Sequence, residues 1–232
     1  MTNELERRFY TFEPNAEKRD DGSAQISGRP IVYNSPTDIG GMFREIIMPG
    51  ALDGADLRDV PLLVNHNDRM IPVARSRRNN GNSTMQLIPR EERMDIRVDL
   101  DTENNMESRA LYSATQRGDI SGMSFMMIVN RDKDVWTDVE SDYPKRRIME
   151  ISKILEVSAV AFPAYEQTSI QVASQDGALD SARASLESAK KRLAEERAAQ
   201  EAAEAAEKAA QAEAERRTAL LERLDNLRKE EK

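Results

Sequence analysis

Between residues 93 and 100 apolar and charged positions alternate: Met94, Ile96, Val98 and Leu100 fall on one side of an extended chain, Arg93, Asp95, Arg97 and Asp99 on the other. A period of two marks a strand with one buried face. Comparable short runs, punctuated by turn residues, predict strands over 7–12, 24–33, 43–48, 60–65, 83–88, 123–130, 134–139, 147–152 and 154–162. Two of these, 123–130 and 154–162, are apolar on nearly both faces, as the interior of a sheet requires. The period changes at Met106, Ala110, Leu111 and Ala114, which form a helical stripe over Asn105 to Arg117, with Gly118 just past its end. A shorter helix is expected over Pro49 to Leu57. The pattern predicts an α+β class, an antiparallel sheet or β-barrel with surrounding helices, over residues 1–167.

The pattern changes again near residue 175. From Asp176 to Lys232 there is one glycine, no proline and no aromatic residue, and Ala, Glu, Lys and Arg dominate, which is the composition of a long helix. Leu179, Ala182, Leu186, Ala189 and Leu193 alternate at spacings of three and four, a heptad seam that weakens at Glu196, Gln200 and Glu207. Residues 178–232 are therefore expected to form a helical or coiled-coil tail of about 85 Å, joined by a linker at 168–177. Two readings of the tail stay open: a solvated helix held by charge pairs three or four residues apart, or an arm that binds another assembly component.

Composition narrows the chemistry. Charged residues make up 33 % of the chain, aromatics 5 %, and the mean hydropathy of -0.69 fits a molecule with a long solvated segment. The net charge of -8 arises from 34 basic and 42 acidic residues, interspersed, so there is no basic field for nucleic acid. Without cysteine there is no disulfide, thiol catalysis or cysteine-ligated metal, and with one histidine an ordinary zinc centre is nearly excluded. No cofactor is expected. The N-terminal segment has no apolar run behind a basic cluster, and no stretch approaches the ~18 apolar residues of a membrane span, so neither export nor a membrane partner is expected.

Three segments could carry chemistry. His66, in LLVNHND, follows an apolar strand, where the chain leaves the sheet and a side chain can be both fixed and reachable. As the chain's single histidine it must serve in any serine–histidine mechanism, although a loop histidine is more commonly a plain surface or hydrogen-bonding residue. Ser124, in DISGMSFMMIVN, begins a strand with two apolar faces; its hydroxyl needs a partner, because an unsatisfied buried polar group costs about 1–3 kcal/mol. A backbone carbonyl would suffice, and Ser121 is a rival nucleophile. Glu156, in ILEVSAVAFPAYE, interrupts an apolar strand together with Ser158 and needs a partner, either an arginine or the imidazole of His66.

Taken together, RRFYTFE, GRPIVYNSPTDIGGMFREIIMPGAL, LLVNHND, GDISGMSFMM and ILEVSAVAFPAY resemble the prohead (head-maturation) serine proteases of tailed bacteriophages, over about Arg7 to Gln171. That family is similar to the herpesvirus maturation proteases called assemblins, β-barrels with surrounding helices that act as dimers. The resemblance implies a serine endopeptidase with Ser124 as nucleophile, His66 as general base and Glu156 as the acid. It implies action inside the assembling procapsid in the host cytoplasm, on the major capsid protein, on scaffold segments and on itself, as a homodimer or higher oligomer. Many relatives carry a glycine shortly after the serine, where this chain has Met126 and Met127. The competing reading is a non-catalytic scaffolding or capsid-assembly protein that acts through its helical tail.

Overall fold

The computed structural model describes residues 3–10, 14–19, 23–161 and 178–230. The expected linker at 168–177 lies outside the described residues. The chain forms two compact units, Met1–Leu186 and Glu187–Lys232.

Thirteen strands are described: β1 (Asn3–Tyr10), β2 (Asn15–Lys18), β3 (Ala24–Val32), β4 (Thr37–Ile39), β5 (Phe43–Ile47), β6 (Asp59–Val64), β7 (Ala74–Arg77), β8 (Met85–Pro89), β9 (Arg93–Leu100), β10 (Gly122–Asn130), β11 (Val135–Thr137), β12 (Lys145–Ile148) and β13 (Ile151–Val160). They form three open sheets in the orders β1-β10-β13-β6-β7, β11-β12-β5-β4 and β2-β3-β9-β8. The antiparallel barrel expected from the strand pattern is corrected on two counts. No closed barrel is found among the described residues, and two pairs, β6 with β13 and β5 with β12, run parallel. Side-chain alternation reports which residues face the core, but not the direction of a neighbour brought in by a long crossover.

Helix α1 (Met106–Arg117) ends where expected and starts one residue later, with Asn105 as its cap. The Asn105 side chain accepts the Ser108 N–H at 3.0 Å, and Gly118 closes the helix at φ 79, the left-handed conformation that glycine adopts without a Cβ clash. The helix expected over Pro49 to Leu57 is instead a series of turns, with the Ala51, Asp53 and Ala55 N–H groups donating to the Met48, Gly50 and Leu52 carbonyls. Gly50 at φ 83 takes the backbone out of the helical region there. The main core lies between the β10–β13 face bearing Phe125, Met127, Val157 and Ala159 and the β3–β9–β8 sheet with Ile26, Met94, Ile96 and Leu87. Gly28 allows this approach, because a Cβ there would overlap Met123 Sδ.

Glu6 and Arg8 of β1 are buried with three further charged side chains, Glu45, Asp134 and Arg146. Arg8 pairs with Glu6 and Glu45; Arg146 donates to Glu6 at 2.6 and 2.7 Å, to Glu45 at 3.0 Å and to Asp134 at 2.8 Å, and lies over the Trp136 ring. Helix α2 (Ala178–Glu230) joins this cluster through its first turns. Ser185 Oγ donates to Glu6 at 3.1 Å, Ser181 Oγ donates to the Leu5 carbonyl at 2.9 Å, and Ala182 and Leu186 pack on Phe43. Two residues of the expected heptad seam are thus used within the first unit. In the second unit Ala189 of the seam is also buried, whereas the side chains of α2 from Ala194 to Leu221 are exposed, Leu220 and Leu221 included.

Three carboxylates (Glu6, Glu45, Asp134) face the Arg8 and Arg146 guanidiniums. Burial alone would raise the Glu6 carboxyl, but Arg8 and Arg146 outweigh it and hold it at about 2. For Asp134 burial wins: despite Arg146, and with Glu6 and Glu45 nearby, its carboxyl is pushed up to about 6. The folded chain therefore keeps a proton that an unfolded aspartate, with a pKa near ~3.9, has released. Through this group stability falls as pH rises from about 4 to about 6 and is level above. Asp134→Asn should lack that descent. Unfolding free energies from urea titrations at about pH 4.5 and about pH 7 should differ between variant and wild type by on the order of 1–3 kcal/mol more at the higher pH, in the variant's favour. Parallel pH curves would contradict the assignment.

Candidate active site

The site is built on three adjacent strands, β10, β13 and β6. Ser124 of β10 lies directly opposite Ser158 of β13, and Ser158 lies opposite Leu63 of β6. Opposed residues share a face, and so do residues two apart on a strand, so Ser124, Ser158 and Glu156 project to the same side. The other side is the main core. Beside Glu156 the β10–β13 ladder slips, with Met126 opposite Glu156 but Met127 opposite Ile154. The extra residue on β13 is a bulge, a feature that re-aims the side chains beside it.

His66 arrives from the neighbouring strand through a tight turn. After Val64 the chain reverses with Asn65 at φ 50 and His66 at φ 57, and the Asn67 N–H donates to the Val64 carbonyl at 3.1 Å. Positive φ at both central residues is the signature of a type I′ turn, which asparagine tolerates well and histidine at some cost. Asn65 ties the turn to β13 twice. Its N–H donates to the Ala159 carbonyl at 2.9 Å and its side-chain oxygen accepts the Ala161 N–H at 3.1 Å. The stretch NHN in the sequence is thus a turn that aims an imidazole across β13.

The imidazole and the carboxylate meet there. His66 Nδ1 and Glu156 Oε1 are 2.5 Å apart, with both side chains 6 % exposed. Glu156 takes the histidine of the two partners open to it in the sequence. Ser158 Oγ donates to the other carboxylate oxygen, Oε2, at 2.6 Å and accepts the His66 backbone N–H at 3.3 Å. Ser124, fully buried, donates to the Arg8 carbonyl of β1 at 2.7 Å rather than to the imidazole. The backbones of β10 and β6 are two strand spacings apart, roughly 9–10 Å. Ser121 is half-buried just before β10, outside the ladder. Next to His66, the turn and α1 enclose a cavity of about 670 Å³ lined mainly by apolar side chains, among them Leu63, Val73, Leu111 and Ile120, with exposed Met70 and Ile71 also lining it.

Residues 11–181 match the model of the Caudovirus prohead serine protease family. The chain belongs to that family. The solved structure of the bacteriophage T4 capsid assembly protease, gp21, is similar to this prohead protease at 11 % identity and a TM-score of 0.41, over 68 % of this chain and 98 % of that one. No curated protein matches the chain.

The sequence pattern singled out His66, Ser124 and Glu156 in the prohead protease but assigned no part to Asn65 or Ser158. Ser158 was visible as the second polar interruption of an apolar strand, two residues from Glu156. Its contact with the His66 turn follows from the parallel pairing of β6 with β13, which no local pattern announces.

Proposed function

We propose that this prohead protease is a serine endopeptidase that cleaves scaffold and capsid-protein segments, and itself, inside the assembling procapsid. The observation that carries this reading is the pairing of the chain's single imidazole with a buried carboxylate, on the sheet face that bears Ser124 and one strand away from it. A lone imidazole held this way has one ring nitrogen committed to orientation, which leaves Nε2 as the basic atom.

In the reaction, the Ser124 hydroxyl turns from the Arg8 carbonyl toward His66 and attacks the substrate carbonyl carbon. Oγ–C forms as Nε2 takes the hydroxyl proton. Collapse of the tetrahedral intermediate breaks the C–N bond, and Nε2 returns the proton to the departing amine. Water then adds to the acyl ester by the same proton transfers, releasing the new carboxyl end and restoring the serine. Glu156 holds the tautomer and offsets the imidazolium charge. The turn of Ser124 is a change of side-chain rotamer that gives up the hydrogen bond to the Arg8 carbonyl. The apolar cavity beside His66 receives a substrate side chain, and α2 beyond Glu187 serves as a scaffold-like or tethering segment. A homodimer or higher oligomer is the working form.

The test is incubation of the purified protein with capsid precursor, followed by mass spectrometry of the products. Discrete cuts are expected, in the precursor and in the protease itself, and Ser121→Ala should produce the same fragments at a comparable rate. An intact precursor, alongside assembly that depends on the helix, would instead support a scaffolding role. Loss of cutting in Ser121→Ala alone would move the nucleophile.

A further inference from the structure

Ser158 is fully buried at the centre of the site, in the row that runs from Ser124 on β10 to Leu63 on β6. Its hydroxyl closes a ring of interactions. The His66 backbone N–H donates to Ser158 Oγ, Ser158 Oγ donates to Glu156 Oε2, and the remaining oxygen, Glu156 Oε1, meets His66 Nδ1. The same histidine is therefore held at backbone and ring through one serine and one carboxylate.

Two physical requirements meet at that hydroxyl. A carboxylate bound through one oxygen can still rotate about its last torsion, and rotation would carry Oε1 away from Nδ1; a second donor on Oε2 fixes its plane. A histidine at positive φ adopts a backbone conformation that its Cβ disfavours, so the turn needs anchors on the sheet to persist. Asn65 supplies two of these, and Ser158 supplies the one that acts on His66 itself. An alanine or valine at 158 would fill the space but leave the His66 N–H and Oε2 without this partner.

We propose that Ser158 is a positioning residue for the His66–Glu156 pair: it locks the carboxylate plane and the turn that carries the imidazole, without contacting substrate. This rests on the reading of His66 as general base. Its role predicts a dependence on the hydroxyl and not on side-chain volume, so Ser158→Thr should preserve function and Ser158→Cys, close in volume but a poor donor, should not.

Because the chain has one histidine, its imidazole proton is observed without ambiguity by NMR. In the Ser124→Ala protein, which carries no nucleophile at that position to cut itself, the low-field Nδ1–H resonance of the His66–Glu156 bond should persist with Ser158→Thr. With Ser158→Cys it should broaden away. In proteins that retain Ser124, Ser158→Cys should lower kcat between about 10- and 100-fold with KM changed less than about twofold, and Ser158→Thr should stay near wild type. If the Cys variant keeps both the resonance and the rate, or if the Thr variant falls as far as the Cys variant, the proposal is overturned. Loss of the resonance in the Cys variant of a protein that never cleaves would leave the positioning role standing and overturn the proteolytic reading. Retention of the resonance in an active enzyme would do the reverse.

Discussion

Ser124→Ala is expected to lower the rate of capsid-precursor cleavage by about 10⁴–10⁶-fold, and His66→Ala to do the same. The magnitude follows from the chemistry. Without the hydroxyl there is no acyl-enzyme, and without the imidazole the attacking hydroxyl keeps its proton at neutral pH. The two losses should not add, because each removes a part without which the other does nothing; the double variant should match either single one. Glu156→Gln should cost less, since the imidazole survives and only its orientation and charge balance are lost. Folding should be affected little by Ser124→Ala, whose deletion leaves one carbonyl, that of Arg8, without this donor. Rates of fragment appearance measured by mass spectrometry, with circular dichroism as the folding control, check each of these. A Ser124→Ala protein that cuts at more than about a tenth of the wild-type rate would contradict the assignment.

Arg146→Ala should produce the largest stability loss, on the order of 3–5 kcal/mol. Arg146 is fully buried and donates to Glu6, Glu45 and Asp134 together, so its removal leaves three buried carboxylates without their shared donor. The same cluster holds β1 through Glu6 and Arg8 and the start of α2 through Ser185, so both segments should loosen in the variant. Urea unfolding should show the midpoint shift, and hydrogen exchange should show early exposure of Asn3–Tyr10 and of Ser181 to Leu186. A loss below about 1 kcal/mol would mean that these charges are better solvated than their burial indicates. Replacing the whole cluster with apolar residues of matched volume is a different experiment, since a buried ion network can be weaker than good packing.

What could be read from the sequence was whatever local periodicity encodes. The alternation over Arg93–Leu100 gave a strand with those bounds, and Gly118 gave the end of α1, because capping chemistry is local, whereas Asn105, expected as the first helical residue, is the cap. The three-residue β4 and the four-residue β2 and β7 were too short for a period to emerge. Sheet closure and strand direction were not legible, since both are set by crossovers of many residues. Within the site, the residues alone left Glu156 open to an arginine or to His66, and the pairing of the two was what the family resemblance implied. The present partner of Ser124 could not be anticipated, because the Arg8 carbonyl is 116 residues away and backbone atoms leave no mark in a sequence. The same holds for Glu6, Arg8, Glu45, Asp134 and Arg146, five scattered charges that look like a solvated surface until the chain brings them together.

In the proposed mechanism Ser124 is made nucleophilic by His66. Treatment with a fluorophosphonate probe, followed by peptide mapping, tests it most directly, because the probe reports an activated hydroxyl whatever the natural substrate is. The label is expected on Ser124 in the wild-type protein, and its yield should fall to background in His66→Ala. Labelling of Ser121, or equal labelling of Ser124 with and without the imidazole, would contradict it.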